Sequence, residues 1–228
     1  MPTYDSQSVG TNRISIWDLF AKLGAYTRNK PYTRILAVIK KMRNYIQTFN
    51  ILTEKEIDLF ESKVQVKKLK KGDFFIKENR VSKEVAFVVS GLFRSFYYSS
   101  SEEEVTYCFT FSNSFVSAYS SFLSQTETIE NIQALTDIEL LTISREEILV
   151  LEKSSTNWLK FFKLITEQEY IKMEKRVFLL QKESAEKKYK DLLLHQPEYL
   201  QSIPLNYLSS YLGITQRHLS RIRKTITN

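Results

Sequence analysis

Near the C-terminal end of the chain, Thr215, Gln216, Arg217, His218, Ser220, Arg221 and Lys224 crowd six polar or cationic side chains and a capping hydroxyl into ten residues. Guanidinium groups fork onto guanine edges, a Gln amide pairs with adenine, and hydroxyl and ammonium groups hold phosphate oxygens. This set therefore suits contact with a polyanion read along a groove, and Arg217 and Arg221 lie one helical turn apart.

The residues that must position them surround them. From Ile203 to Lys224, Leu208, Leu212, Ile214, Leu219 and Ile222 fall where two short crossing helices bury their inner faces. Gly213 stands where the intervening turn needs positive φ, and Ser209 is small where the second helix presses on the first. Thr215 is placed to N-cap the second helix, leaving free N–H groups at its start for an anion. This is a helix-turn-helix pattern; an αα-hairpin capping a core, with its charges merely solvated, shares the same spacing.

The charge distribution separates the two. The net charge is +7 over 228 residues. Residues 42–184 carry 19 basic and 21 acidic side chains, whereas residues 185–228 carry 7 and 3, and no carboxylate follows Tyr199. A basic end on a neutral scaffold is the footprint of a polyanion-binding element.

Composition excludes several classes. One cysteine, Cys108, rules out an internal disulfide, a zinc finger or a Cys-ligated iron–sulfur cluster. No histidine precedes His195, so the His and carboxylate ligands of a metal-dependent β-barrel enzyme are missing, and no nucleophile–base pair or phosphate loop replaces them. The reading is a non-enzyme without a cofactor. With no apolar run of membrane-spanning length and no signal-peptide core, the expected location is cytoplasmic.

Along the chain, residues 1–41 are basic and polar and are expected to form an appendage, with the regular domain opening at Met42. Ile39, Met42, Tyr45, Ile46 and Phe49, then Ile57, Leu59 and Phe60 after a Thr53–Glu56 capping box, predict two helices. From Val64 to Ile143 the apolar period becomes two, punctuated by Lys71-Gly72-Asp73, Glu78-Asn79, Ser90-Gly91 and Ser112-Asn113. Many short strands between such turns predict a sandwich or barrel. Ser144 is placed to cap a further helix. A long helical pattern then runs from Asn157 to about Glu183, with Tyr170, Met173, Val177 and Leu180 at the 3,4,3 spacing of a coiled-coil seam. A helix buried within one chain would show similar spacing over so short a stretch.

This order of parts, and the words KKGDFFIKENR, VVSGLFRSFYY and YLGITQRHLSRIRK, resemble the Crp/Fnr family of bacterial transcription regulators over about residues 42–226; the last word is similar to the branch common in Bacteroidetes. The resemblance implies an α+β chain. Its parts would be a jelly-roll, double-stranded β-helix sensor domain of cyclic-nucleotide-binding type (42–152), a dimerisation helix (153–184) and a helix-turn-helix domain (185–228). It further implies a homodimer on palindromic double-stranded DNA, with base contacts at Gln216, Arg217 and Arg221 and phosphate contacts at Thr215 and Lys224. It leaves room for a small-molecule effector and for contact with RNA polymerase, and none for a membrane.

Where relatives that bind cyclic AMP carry Phe-x-Gly-Glu and, ten positions on, Arg-Ser or Arg-Thr, this chain has Phe115, Ser117 and Ala118, then Thr128, Ile129 and Glu130. The ribose-binding Glu and phosphate-binding Arg are both absent, and a carboxylate would repel the cyclic phosphate. The cassette is therefore expected to be degenerate toward cyclic AMP. Nor does the stretch from His195 to Pro204 leave length for the β-hairpin wing that many relatives have. A ligand- or partner-binding module that has lost specific DNA binding is the competing expectation.

Overall fold

A computed structural model describes residues 30–227. The chain opens with α1 (Lys30–Gln47) and α2 (Glu54–Glu61), and α2 starts in the expected capping box: Thr53 Oγ1 accepts the Glu56 N–H, and Glu56 accepts the Thr53 N–H at 2.7 Å. Burial pushes Glu56 upward, but bonds from Ser155, Thr53 and Asn157 outweigh it and hold the carboxylate down to about 2. α1 runs through Met42 without a break, and Val38 and Ile39 are core residues beside Met42 and Ile46. The apolar face of α1 thus enters the core on both sides of the boundary expected at Met42; residues 1–29 lie outside the described residues.

Eight strands follow: β1 (Gln65–Leu69), β2 (Phe74–Ile76), β3 (Glu84–Ser90), β4 (Phe93–Tyr98), β5 (Glu104–Thr110), β6 (Ser114–Val116), β7 (Glu130–Ala134) and β8 (Ile138–Ser144). They form two antiparallel four-stranded sheets, ordered β1-β8-β3-β6 and β2-β7-β4-β5. The turns fall where Gly and Asn signalled them. Gly72 and Gly91 have φ +94° and +102°, and a Cβ at Gly91 would come within 2.6 Å of the Asp137 carbonyl oxygen. Between β6 and β7 lies α3 (Tyr119–Ser124), a short helix that hydrophobic period does not announce.

β3 and β8 are apolar on both faces, for two different reasons. Ala86, Val88, Ile138 and Leu140 fill the space between the sheets, while Phe87, Val89, Leu141 and Ile143 face the helices outside. Those helices are α1, α2, α4 (Arg145–Ser154), capped by Ser144, and α5 (Thr156–Lys182). Trp158 and Phe161 of α5 are fully buried there, Trp158 5.4 Å from the Phe60 ring. α6 (Ala185–His195), α7 (Pro197–Ser202), α8 (Leu205–Leu212) and α9 (Gln216–Thr227) complete the chain. They close a third cluster in which Leu208, Leu212, Leu219 and Ile222 join Tyr189, Leu192 and Tyr199. Pro197 opens α7 where the N–H it lacks would have had no helical partner, so a helix fills the segment where a wing was not expected. No helix among the described residues is long and apolar enough to cross a membrane.

Candidate nucleic-acid interface

α8 ends at Gly213, whose φ of +67° and ψ of +36° are the left-handed values a helix-terminating glycine supplies. Ile214 follows, and Thr215 Oγ1 accepts the His218 N–H at 3.2 Å, capping α9 as its position predicts. Leu219 and Ile222 turn inward and are buried. At 3.6 residues per turn, Gln216, Arg217, Ser220, Arg221 and Lys224 then span about 140° on the opposite face, while His218 sits on its flank. Gln216, Arg217, His218, Arg221 and Lys224 are exposed and Ser220 is half-buried. The structure thus brings the predicted reader set together on one helix, with His218 the member farthest from its centre.

The seam residues lie along α5. Tyr170, Met173 and Val177 are 65%, 62% and 43% exposed, a run of apolar surface that Ile171 and Phe178 widen. Leu180 is half-buried and faces the turn at Gly213, where a Cβ would lie 4.0 Å from Leu180 Cδ2. The first turns of α5 carry the second stripe, Trp158, Phe161, Phe162 and Ile165, which packs on the sensor core.

Across the segment expected to be a degenerate cassette, the five predicted residues have different surroundings. Phe115 packs its ring against Tyr45, Phe87 and Phe161. Ser117 donates to the Glu84 carbonyl at 3.0 Å and sits 3.2 Å from Ser82 Oγ, and Ala118 is fully buried. Ser121 Oγ accepts the Ser82 N–H at 2.9 Å, and Gln125 Nε2 donates to the Ser82 carbonyl at 3.2 Å. Hydroxyls and an amide thus tie α3 to the start of β3. Thr128 is buried and accepts the Glu130 N–H, whereas Ile129 is 76% exposed. Its position between two inward residues of a chain entering a strand turns it outward.

Glu130 itself is hydrogen-bonded by the Tyr107 hydroxyl, with the Tyr97 ring beside Tyr107. Desolvation pushes the Glu130 carboxyl above the usual carboxylate range, against the opposing pull of the Tyr107 and Thr128 hydroxyls. Burial likewise raises the Tyr107 phenol, helped by the neighbouring carboxylate. Cys108 stands on β5, its thiol pushed up by desolvation, which suppresses thiolate chemistry.

One group of residues was not anticipated. Arg94 on β4 is 1% exposed, its guanidinium carbon 4.2 Å from the Phe96 ring centre and 3.9 Å from that of Tyr207 on α8. Its Nε donates to Thr106 Oγ1 at 2.8 Å and its Nη1 to Glu104 Oε2 at 2.6 Å. The available signal was a lone arginine inside the apolar word LFRSFYY, where alternation drew attention only to its neighbours.

Comparison with known proteins places these features. Residues 66–155 match the cyclic nucleotide-binding domain family. No curated protein matches the sequence. Among solved structures, FixK2 from Bradyrhizobium japonicum is 16% identical with a TM-score of 0.65, over 72% of this chain and 84% of that one. A regulator assigned to the crp/fnr family from Eubacterium rectale is 19% identical with a TM-score of 0.63, over 81% and 88%. CLP from Xanthomonas campestris, described as a c-di-GMP-responsive global regulator, is 13% identical with a TM-score of 0.60, over 77% and 92%. Residues 66–155 accordingly match the cyclic nucleotide-binding domain family, in a chain whose fold is similar to that of Crp/Fnr regulators.

Proposed function

We propose that the chain is a sequence-specific DNA-binding transcription regulator that acts as a homodimer on a palindromic site. The observation that carries this reading is α9: one face is locked into the domain by Leu219 and Ile222, and the other presents Gln216, Arg217, Arg221 and Lys224 outward from a Thr215-capped N-terminus. A helix of that kind enters the major groove with its N-terminal residues on base edges. Arg217 and Arg221 take guanine O6 and N7, Gln216 takes adenine, and Thr215 and Lys224 hold phosphates. The exposed stripe Tyr170, Met173 and Val177 supports dimerisation through α5, since an apolar run of this size on a free surface marks an interaction site.

The sensor does not take cyclic AMP in this reading. Ser117 Oγ is engaged by Ser82 and the Glu84 carbonyl, Ala118 has no polar group for a ribose hydroxyl, and Thr128 and Ile129 carry no cation where the Arg would stand, with the Glu130 carboxyl next in the chain. The Ser121 hydroxyl and the Gln125 amide tie α3 to Ser82. Calorimetry should detect no micromolar cyclic-nucleotide binding.

The test is selection of duplexes from a random pool by the purified protein at physiological salt. The expected result is a palindrome that Arg217→Ala and Arg221→Ala each relax at one symmetric pair of positions, since a bidentate pair carries about 1–3 kcal/mol of discrimination. Binding should weaken linearly on a log–log plot against salt. A salt-independent interaction, or no selected sequence with or without cell extract, would instead identify a partner-binding module.

A further inference from the structure

Between β2 of one sheet and the ends of β3 and β8 of the other lies a groove of about 620 Å³, and none of the five residues of the expected cassette lines it. β2 is the outer strand of its sheet, paired only with β7. The chain leaving it keeps to the same edge: the Asn79 N–H donates to the Thr128 carbonyl at 2.8 Å, and Val81 bridges Glu127. The lining has an apolar part. Phe75 and Ile76 pack on the cluster that fills the space between the sheets, with the Phe75 ring 6.0 Å from that of Phe93, and half-buried Val81 lies beside them. The core therefore reaches the surface along this edge, because no strand pairs with β2 on its far side.

The charged groups around the groove are unequally engaged. Lys77, Arg80 and Lys83 are exposed there, and Glu84 and Glu146 are the carboxylates of the lining. Both carboxylates have partners. Lys67 Nζ donates to the two Glu84 oxygens at 2.8 and 2.7 Å. The Glu146 carboxyl is held below its usual range by its own N–H, by the Ser144 hydroxyl and by the charges of Arg145 and Lys83. Lys77 sits 4.5 Å over the Phe74 ring, and Arg80 has no ion pair or side-chain hydrogen bond among the described residues. A guanidinium with all its donors free thus stands at the rim of an apolar groove of small-molecule size.

We propose that this groove binds an organic carboxylate with a flat apolar body. The body lies on Phe75, Ile76 and Val81, and the carboxylate takes the fork of Arg80, with Lys77 and Lys83 adding to the attraction. Because its walls come from different sheets, an occupant ties β2 to β3 and stabilises the folded chain. The proposal stands whether or not α9 reads DNA.

Calorimetry on the full-length chain tests this, with 2-naphthoate as the probe and uncharged 2-naphthamide beside it. The acid should bind at least about tenfold more tightly than the amide, since only the acid makes charge-assisted hydrogen bonds. Arg80→Glu should weaken 2-naphthoate at least about tenfold, whereas Lys163→Glu on α5, an equal change in net charge at a screened distance, should leave it within about twofold. On titration the amide signals of Phe75, Ile76 and Val81 should shift while those of Tyr170 and Met173 stay in place, which separates this groove from the exposed stripe of α5. Arg80 holds no other side chain, so Arg80→Glu should keep the parental circular dichroism; if it does not, Arg80→Gln replaces it with the same direction of effect expected. Equal binding of acid and amide, equal weakening by the two charge reversals, shifts confined to α5, or no binding of 2-naphthoate would each overturn the proposal.

Discussion

The turn between α8 and α9 offers a test in which steric and conformational costs separate. Gly213 sits at φ +67°, and a Cβ there would meet only Leu180 Cδ2 at 4.0 Å, an ordinary contact. Substituting Ala therefore adds no clash and costs only the left-handed backbone, about 1–2 kcal/mol for an L-residue. Asn tolerates that region better, so Gly213→Asn should cost less than Gly213→Ala. Gly91 provides the contrast. It too has positive φ, but its Cβ would lie 2.5 Å from Ile138 Cδ1 and 2.6 Å from the Asp137 carbonyl oxygen, which is backbone and cannot swing away. Gly91→Ala must move the β3–β4 turn against the β7–β8 turn, so its cost should exceed that of Gly213→Ala by about 1–3 kcal/mol, the usual range for overpacking. Urea unfolding of the three variants, followed by Trp158 fluorescence and by far-ultraviolet circular dichroism, measures the order. A Gly213→Ala variant as unstable as Gly91→Ala would refute the claim that space at Gly213 is free.

Further outcomes follow from the same geometry. Leu219→Ala empties a fully buried site between α8 and α9 and should cost about 2–5 kcal/mol, seen as hydrogen exchange in those helices accelerating before exchange in β3 and β8. Met173→Glu and Val177→Glu should weaken self-association at least tenfold by sedimentation while leaving the circular dichroism unchanged, since both side chains are exposed in the single chain. Glu130→Gln concerns pH. The folded state raises this carboxyl, so ionised Glu130 opposes folding, and stability is lost as pH rises from the unfolded value through the raised one. The Gln variant should melt higher than the parent at pH 8, with the advantage vanishing below about pH 4, where the unfolded carboxyl is also protonated. An equal advantage at both pH values would show that charge is not the cause.

What could be read without coordinates was local. Thr53 with Glu56, Ser144, Thr215 and Gly213 each specify a helix end through atoms at most a few residues away, and all four act as their types and spacing require. The outward cationic face of α9 follows from helical period alone, because Leu219 and Ile222 must turn inward. Alternation announced the strands, but in β3 and β8 it reported apolar residues on both faces without saying which layer each face meets. That needed the two sheets and the helices around them.

Tertiary structure decided the rest because the deciding partners are remote. Val38 and Ile39 belong to the core only once α1 lies on β3, and α3 is held by Ser82, 39 residues before Ser121, through bonds that leave no periodic trace. Ser210 meets Thr106 across 104 residues, and nothing in either neighbourhood marks the pair. Arg94 looks misplaced in an apolar strand until Tyr207 and Glu104 surround it. The sequence alone determined that the chain carries a capped, cationic pair of helices behind a run of short strands, since caps, turns and periods are short-range physics. Only the fold decided that α8 is seated on edge strand β5, because hydrogen bonds and cation–π contacts between separate elements depend on where the chain brings them together.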